Sequence, residues 1–76
     1  MNKKDKESLK RYFRALLEFR QEITEKFPDP GSFDGLEARQ LSRDMFHAAK
    51  YHGLIEDYDL GNNTVTLIGG EVVSVN

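Results

Sequence analysis

The chain has no cysteine, no tryptophan and only two prolines, Pro28 and Pro30, in 76 residues. Without cysteine it has no disulfide, no thiolate nucleophile and no Cys-based zinc site. Two histidines, His47 and His52, are too few for an all-histidine zinc cage. They lie five apart, on different faces of a helix. Apolar runs stop at two or three residues, so no segment reads as a membrane span. No apolar stretch follows the charged opening Met1-Asn2-Lys3-Lys4-Asp5-Lys6-Glu7, so no signal segment is read there and a cytoplasmic protein is expected. Residues 51–76 contain no lysine or arginine at all.

What is present fits one small domain spanning 1–76. A chain this short buries only roughly 60% of the surface its unfolded form exposes, so stability is marginal. Its eight aromatics, five Phe and three Tyr, supply a core in place of cross-links.

The expected fold class is α+β: two helices, about 5–27 and 35–52, then a small antiparallel β-hairpin or three-stranded meander, about 54–75. In the first helix Leu9, Tyr12, Leu16, Phe19 and Ile23 recur at spacings of three and four, and Phe13, Leu17 and Phe27 widen the stripe. The charged residues before Leu9 read as a fraying end. Pro28 disfavours helical geometry at Phe27 and marks the stop. Asp34 reads as the cap of the second helix, with Glu37 completing a capping box. Leu36, Leu41, Met45, Ala48 and Ala49 form its apolar stripe, with Phe46 beside it. Gly53 is placed to end it. Phe13, Leu16, Leu41, Met45 and Leu67 are the expected core.

Beyond Gly53 the period changes from helical to alternating. Leu54–Leu60 is strand-like although it carries Glu56, Asp57 and Asp59. Gly61-Asn62-Asn63 and Gly69-Gly70 are turns. Thr64–Leu67 alternates polar with apolar, and Glu71–Val75 completes the sheet.

Charge is segregated. Residues 1–28 carry Lys3, Lys4, Lys6, Lys10, Arg11, Arg14, Arg20 and Lys26 against five acids. Within this helix the bases come first, and Glu18, Glu22 and Glu25 follow. That order runs against the helix dipole, which favours acids first and bases last.

Four kinds of function can be weighed. Catalysis needs a nucleophile with a base, or a carboxylate pair in a cleft. The serines are scattered, and Asp57 and Asp59 fall on an exposed strand, so no enzyme and no small-molecule substrate is expected. No cofactor and no metal site is expected either, since Asp44 and His47 alone share a face and two ligands do not make a site.

Nucleic-acid binding has a candidate in Arg39, Arg43, His47 and Lys50, which fall at spacings of four, four and three and form one polar stripe. Guanidinium groups on a helix can bond base edges and phosphates. The segment that follows, Tyr51-His52-Gly53-Leu54-Ile55, a polar turn and Thr64-Val65-Thr66-Leu67, resembles the end of a winged-helix domain. The resemblance covers about twenty residues and implies a recognition helix, a wing hairpin and a DNA partner. A winged helix also needs a further helix and turn just before the recognition helix. Leu36–His52 has no Gly or Pro to supply one, and only Ser42 could cap a new start there. The wing would also carry acids and no base, whereas phosphate contact dominates DNA affinity.

Protein binding is the favoured expectation, for a small regulatory, inhibitor or adaptor protein. The partner-binding candidates are Leu9, Tyr12, Leu16 and Phe19, whose heptad-like spacing suits helix–helix packing against another protein or a second copy in a homodimer. A second candidate edge is Val72–Val75, uncharged and open to strand pairing.

Overall fold

The structure is a computed structural model and describes residues 2–29 and 33–75. Helix α1 spans Lys3–Lys26 and helix α2 spans Phe33–Tyr51. Strands β1 (Ile55–Asp59), β2 (Thr64–Leu67) and β3 (Val72–Ser74) follow in an antiparallel meander of order β1-β2-β3. The α+β class and the order of elements are as expected, and the sheet is the three-stranded alternative.

The charged opening is helical rather than frayed. Asn2 accepts a hydrogen bond from the Asp5 N–H at 2.9 Å through its side-chain Oδ1, which satisfies one of the free donors of the first turn. The helix ends at Lys26, and the Phe27 N–H still reaches the Ile23 carbonyl at 2.8 Å.

Asp34 lies inside the first turn of α2 rather than capping it, because the helix already begins at Phe33. Its carboxylate there still meets the positive end of the helix dipole, and a capping box with Asp34 as its cap residue does not fit that position. No break occurs at Ser42. At the far end, the Leu54 N–H bonds the Ala49 carbonyl at 2.9 Å and the Gly53 N–H bonds the Lys50 carbonyl at 3.1 Å. These two bonds form a Schellman motif, which requires the left-handed backbone that Gly53 adopts at φ 75°.

The sheet pairs Tyr58 with Val65 and Val65 with Val73. A β-bulge between Ile55 and Asp57 shifts the alternation of β1. The Glu56 carboxylate at the bulge accepts the Gly69 N–H at 3.1 Å, tying β1 to the turn before β3.

The core lies between the helix pair and one face of the sheet. Phe13 and Leu17 of α1, Phe46 and Ala49 of α2, and Ile55, Val65, Leu67, Val73 and Val75 from the sheet region form one buried cluster. Phe46 is fully buried at its centre, with ring centroids 6.1 Å from Phe13 and 5.8 Å from Tyr58. One aromatic series therefore runs from α1 through α2 to β1.

Two residues expected in this core are outside it. Leu41 is 58% exposed and Met45 49% exposed, and Leu36 is exposed as well. Leu16 packs against the core without being fully buried. The buried stripe of α2 is Gly35, Ser42, Phe46 and Ala49, rotated from the more hydrophobic one. Small residues at these positions let α1 approach, and Phe46 fills the space over the sheet.

Two ion pairs fasten the helices to the acidic sheet region. Lys10 Nζ lies 2.6 Å from Glu71 Oε1 and Lys50 Nζ lies 3.0 Å from Asp57 Oδ1. All four side chains are solvent-exposed, so each pair orients more than it stabilises.

Candidate functional site

Because α2 turns Phe46 rather than Met45 onto the sheet, its more hydrophobic side faces away from the sheet. The same is true of part of α1. Phe13 and Leu17 are buried, Leu9 and Leu16 are half-buried, and Tyr12 and Phe19 are 66% and 41% exposed. All of these but Leu17 line one open groove along the helix pair, with a volume of about 630 Å³. Its α1 wall is Leu9, Tyr12, Phe13, Ala15, Leu16 and Phe19. Its α2 wall is Met45, Ala48, Ala49 and His52, and Leu54 closes one end. Leu41, four residues before Met45, is exposed outside the groove, beside Glu37, Gln40 and Asp44.

All four residues expected to bind a partner, Leu9, Tyr12, Leu16 and Phe19, fall in this groove. The opposite wall is not apparent in the sequence, because Met45 and Ala48 belong to the stripe of α2 that hydropathy turns inward. The groove's chemistry is simple. Tyr12 and His52 carry its side-chain polar groups, and no nucleophile is paired with a base there. It can remove apolar side chains from water, at about 25 cal/mol per Å² of apolar surface. Exposed apolar surface that is continuous over two helices marks an interaction site more often than isolated exposed residues do.

The polar stripe of α2 is differently arranged. Arg39 donates from Nη2 to the Phe27 carbonyl at 2.7 Å, anchoring the end of α1. Lys50 is held by Asp57. The ring of His47 has its Nδ1 3.5 Å from the Tyr58 hydroxyl. Arg43 is exposed. Three of the four candidate DNA-contacting residues thus have partners within the chain, and two of them, His47 and Lys50, contact strand β1. α2 runs unbroken from Phe33 to Tyr51, so the turn that a winged helix needs just before its recognition helix is not found within Leu36–Tyr51.

A polar cluster sits where α1 crosses α2. Arg20 donates from Nη1 to the Ser42 hydroxyl at 2.7 Å and to the Arg39 carbonyl at 3.3 Å. The Ser42 hydroxyl in turn donates to the Arg39 carbonyl at 2.8 Å. Ser42 is fully buried, and Arg20 Nε is buried without a hydrogen-bond partner. Partial burial, then the nearby charges of Arg39 and Arg43, lower the Arg20 pKa from its ordinary value. The guanidinium stays charged at any physiological pH.

The sheet carboxylates act as anchors. Asp57 accepts from Lys50 and from the Tyr58 N–H at 2.9 Å, and these bonds hold its carboxyl below the usual carboxylate range. The hydrogen bond to Glu71, and then its charge, raise the Lys10 pKa.

Among the described residues no group of three or more His, Asp or Glu side chains is placed to hold a metal ion. No helix among the described residues is long and apolar enough to cross a membrane. A second cleft, between Lys6, Leu9, Leu54 and the Leu67–Gly69 turn, has a volume of only about 120 Å³. No protein-family model matches the chain, and neither a curated protein nor a solved structure shows significant similarity to it.

Proposed function

We propose that this chain is a small, non-catalytic protein-binding domain of the regulatory, inhibitor or adaptor type. Its working surface is the apolar groove of the helix pair. One observation carries the reading: Tyr12, Phe19 and Met45 stand exposed around a single groove, while the smaller Ser42 and Ala49 are buried. A monomer under selection for stability alone would turn the larger side chains inward. The groove suits an amphipathic helix that presents anchors at helical spacing.

Placing a photo-crosslinking amino acid at Ala48, in the full chain expressed in cells, tests this reading. Polypeptide adducts are expected from position 48 and not from Arg43, on the opposite side of α2. Adducts from position 43 with none from position 48 would overturn it. Nothing in the geometry favours DNA over this reading, since Arg39 and Lys50 are engaged within the chain.

A further inference from the structure

Resting on that reading, we infer that the occupant of the groove is a second copy of this chain, with α1 packed antiparallel against its counterpart across a two-fold axis. Between its end turns α1 carries its bases first, Lys10, Arg11 and Arg14, and its acids later, Glu18 and Glu22, an order that the helix dipole does not favour.

The groove stripe of α1 is symmetric about residue 14. An antiparallel copy centred there sets Leu9 against Phe19 of the copy, and Tyr12 against Leu16 of the copy. Each meeting occurs twice, as an isologous interface requires.

The outer edge of the same helix follows the same rule. Lys4, Arg11 and Glu18 are spaced by seven, so they lie along one line of the helix. Lys4, Arg11, Glu18 and Glu22 are all exposed. With the copy centred on residue 14, Arg11 lies one residue from the position facing Glu18 of the copy and Lys4 two residues from the position facing Glu22 of the copy, offsets that their long side chains can span. Ser8 and Ala15 lie between this edge and the apolar stripe, and both are small. They let the two helices come close and leave room for the longer charged side chains to reach across. Glu18 pairs with Arg14 at 3.6 Å with both side chains solvent-exposed, a contact weak enough to be exchanged for one across the interface.

A parallel arrangement would instead put bases against bases and acids against acids. The charge order therefore selects one orientation as well as permitting it. The same two-fold axis brings the Leu41–Met45 side of α2 onto its own counterpart. The result is a four-helix layer between two outer sheets.

Sedimentation equilibrium over a concentration series reads the mass. The expected species has twice the 8.8 kDa of one chain. A species of one chain mass at about 100 µM, a Kd limit that excludes all but feeble association, overturns the inference. Tyr12→Glu and Met45→Glu should each give a monomer with unchanged helical circular dichroism. A dimer that persists in both overturns the groove as the interface.

Orientation is read by charge exchange. Arg11→Glu and Glu18→Arg should each weaken the dimer about tenfold, since each alters two symmetric contacts. The double variant should restore it, and no restoration overturns the antiparallel register. If the chain is monomeric but position 48 crosslinks to a different polypeptide, the inference falls and the binding reading stands. If position 48 crosslinks to nothing, both fall.

Discussion

Arg20 and Ser42 are joined by a 2.7 Å hydrogen bond across the crossing of α1 and α2, and the serine is fully buried. The bond explains why a polar residue occupies the inward stripe of α2. Ser42 passes the interaction on to the Arg39 carbonyl, and Arg39 reaches the Phe27 carbonyl. The angle between the helices is thus held by polar contacts, and that angle sets the width of the groove.

Removing the hydroxyl should be costly. Ser42→Ala leaves the partly buried Arg20 guanidinium short of an acceptor, at about 1–3 kcal/mol. The expected outcome is a lower denaturant midpoint with an unchanged slope, measured by urea unfolding. An unchanged midpoint would mean that the bond has no net energetic role.

The two faces of α2 should separate clearly in stability measurements. Phe46→Ala removes the centre of the core and should cost about 3–5 kcal/mol, enough to unfold a domain of this size. Leu41→Ala, on the exposed side, should change the stability of the monomer by no more than about 0.5 kcal/mol. Thermal melts at concentrations low enough to keep the chain monomeric make the comparison.

The ion pairs predict a pH profile. The folded-state pKa of Asp57 is lowered, so its contribution is present above the unfolded pKa and is lost as pH falls through the folded value, below about 4. Lys10 is raised, so its contribution is present below the unfolded pKa of about 10.4 and is lost as pH rises through the folded value. Both groups are exposed, so the changes are small and weaken with salt. Melting temperature against pH should lose part of its acid-side slope in Asp57→Asn and part of its alkaline-side slope in Lys10→Met.

Gly69 and Gly70 both have strongly positive φ, 99° and 95°, in the turn between β2 and β3. Gly70→Ala meets no steric obstacle, but it forces a side chain into a backbone region that non-glycine residues avoid. A loss of about 1–3 kcal/mol is expected. Gly61→Ala, at a position without positive φ, should cost less. Urea midpoints of the two variants make the test.

Arg39 and Arg43 separate a structural from a nucleic-acid role. Arg39→Ala should lower stability by about 1 kcal/mol through the lost bond to Phe27, whereas Arg43→Ala should be neutral. Fluorescence anisotropy with duplex DNA in about 50 mM salt, where phosphate contacts are strongest, should show no rise. A rise that salt removes and Arg43→Glu abolishes would restore the DNA reading.

Most of the fold was legible because each element carries a different period. The three-and-four recurrence from Leu9 to Ile23, the alternation of Thr64–Leu67, and Gly53 at the end of α2 all gave the observed elements. The rotation of α2 was not legible, because it carries two candidate stripes and hydropathy favours the wrong one. Leu36, Leu41 and Met45 outscore Gly35, Ser42 and Ala49 by any transfer scale. Burial here depends on how closely α1 can approach and on Arg20 supplying a partner for Ser42, and neither is a property of α2 alone. One wall of the groove was therefore readable from α1, and the other required the structure.

Val73 and Val75 close the core over Phe13 and Leu17, so residues near the two limits of the described chain are packed together. During synthesis the helices emerge first, at about 5–20 residues per second, and the last core side chains follow seconds later. Until residue 75 has cleared the ribosome, Leu17 and Phe46 have no complete sheet to cover them. In that interval the nascent helix pair exposes apolar surface on both faces, the one meant for the sheet and the one meant for the groove. Chaperone engagement of ribosome-bound chains should accordingly peak just before the last strand emerges and drop once it pairs.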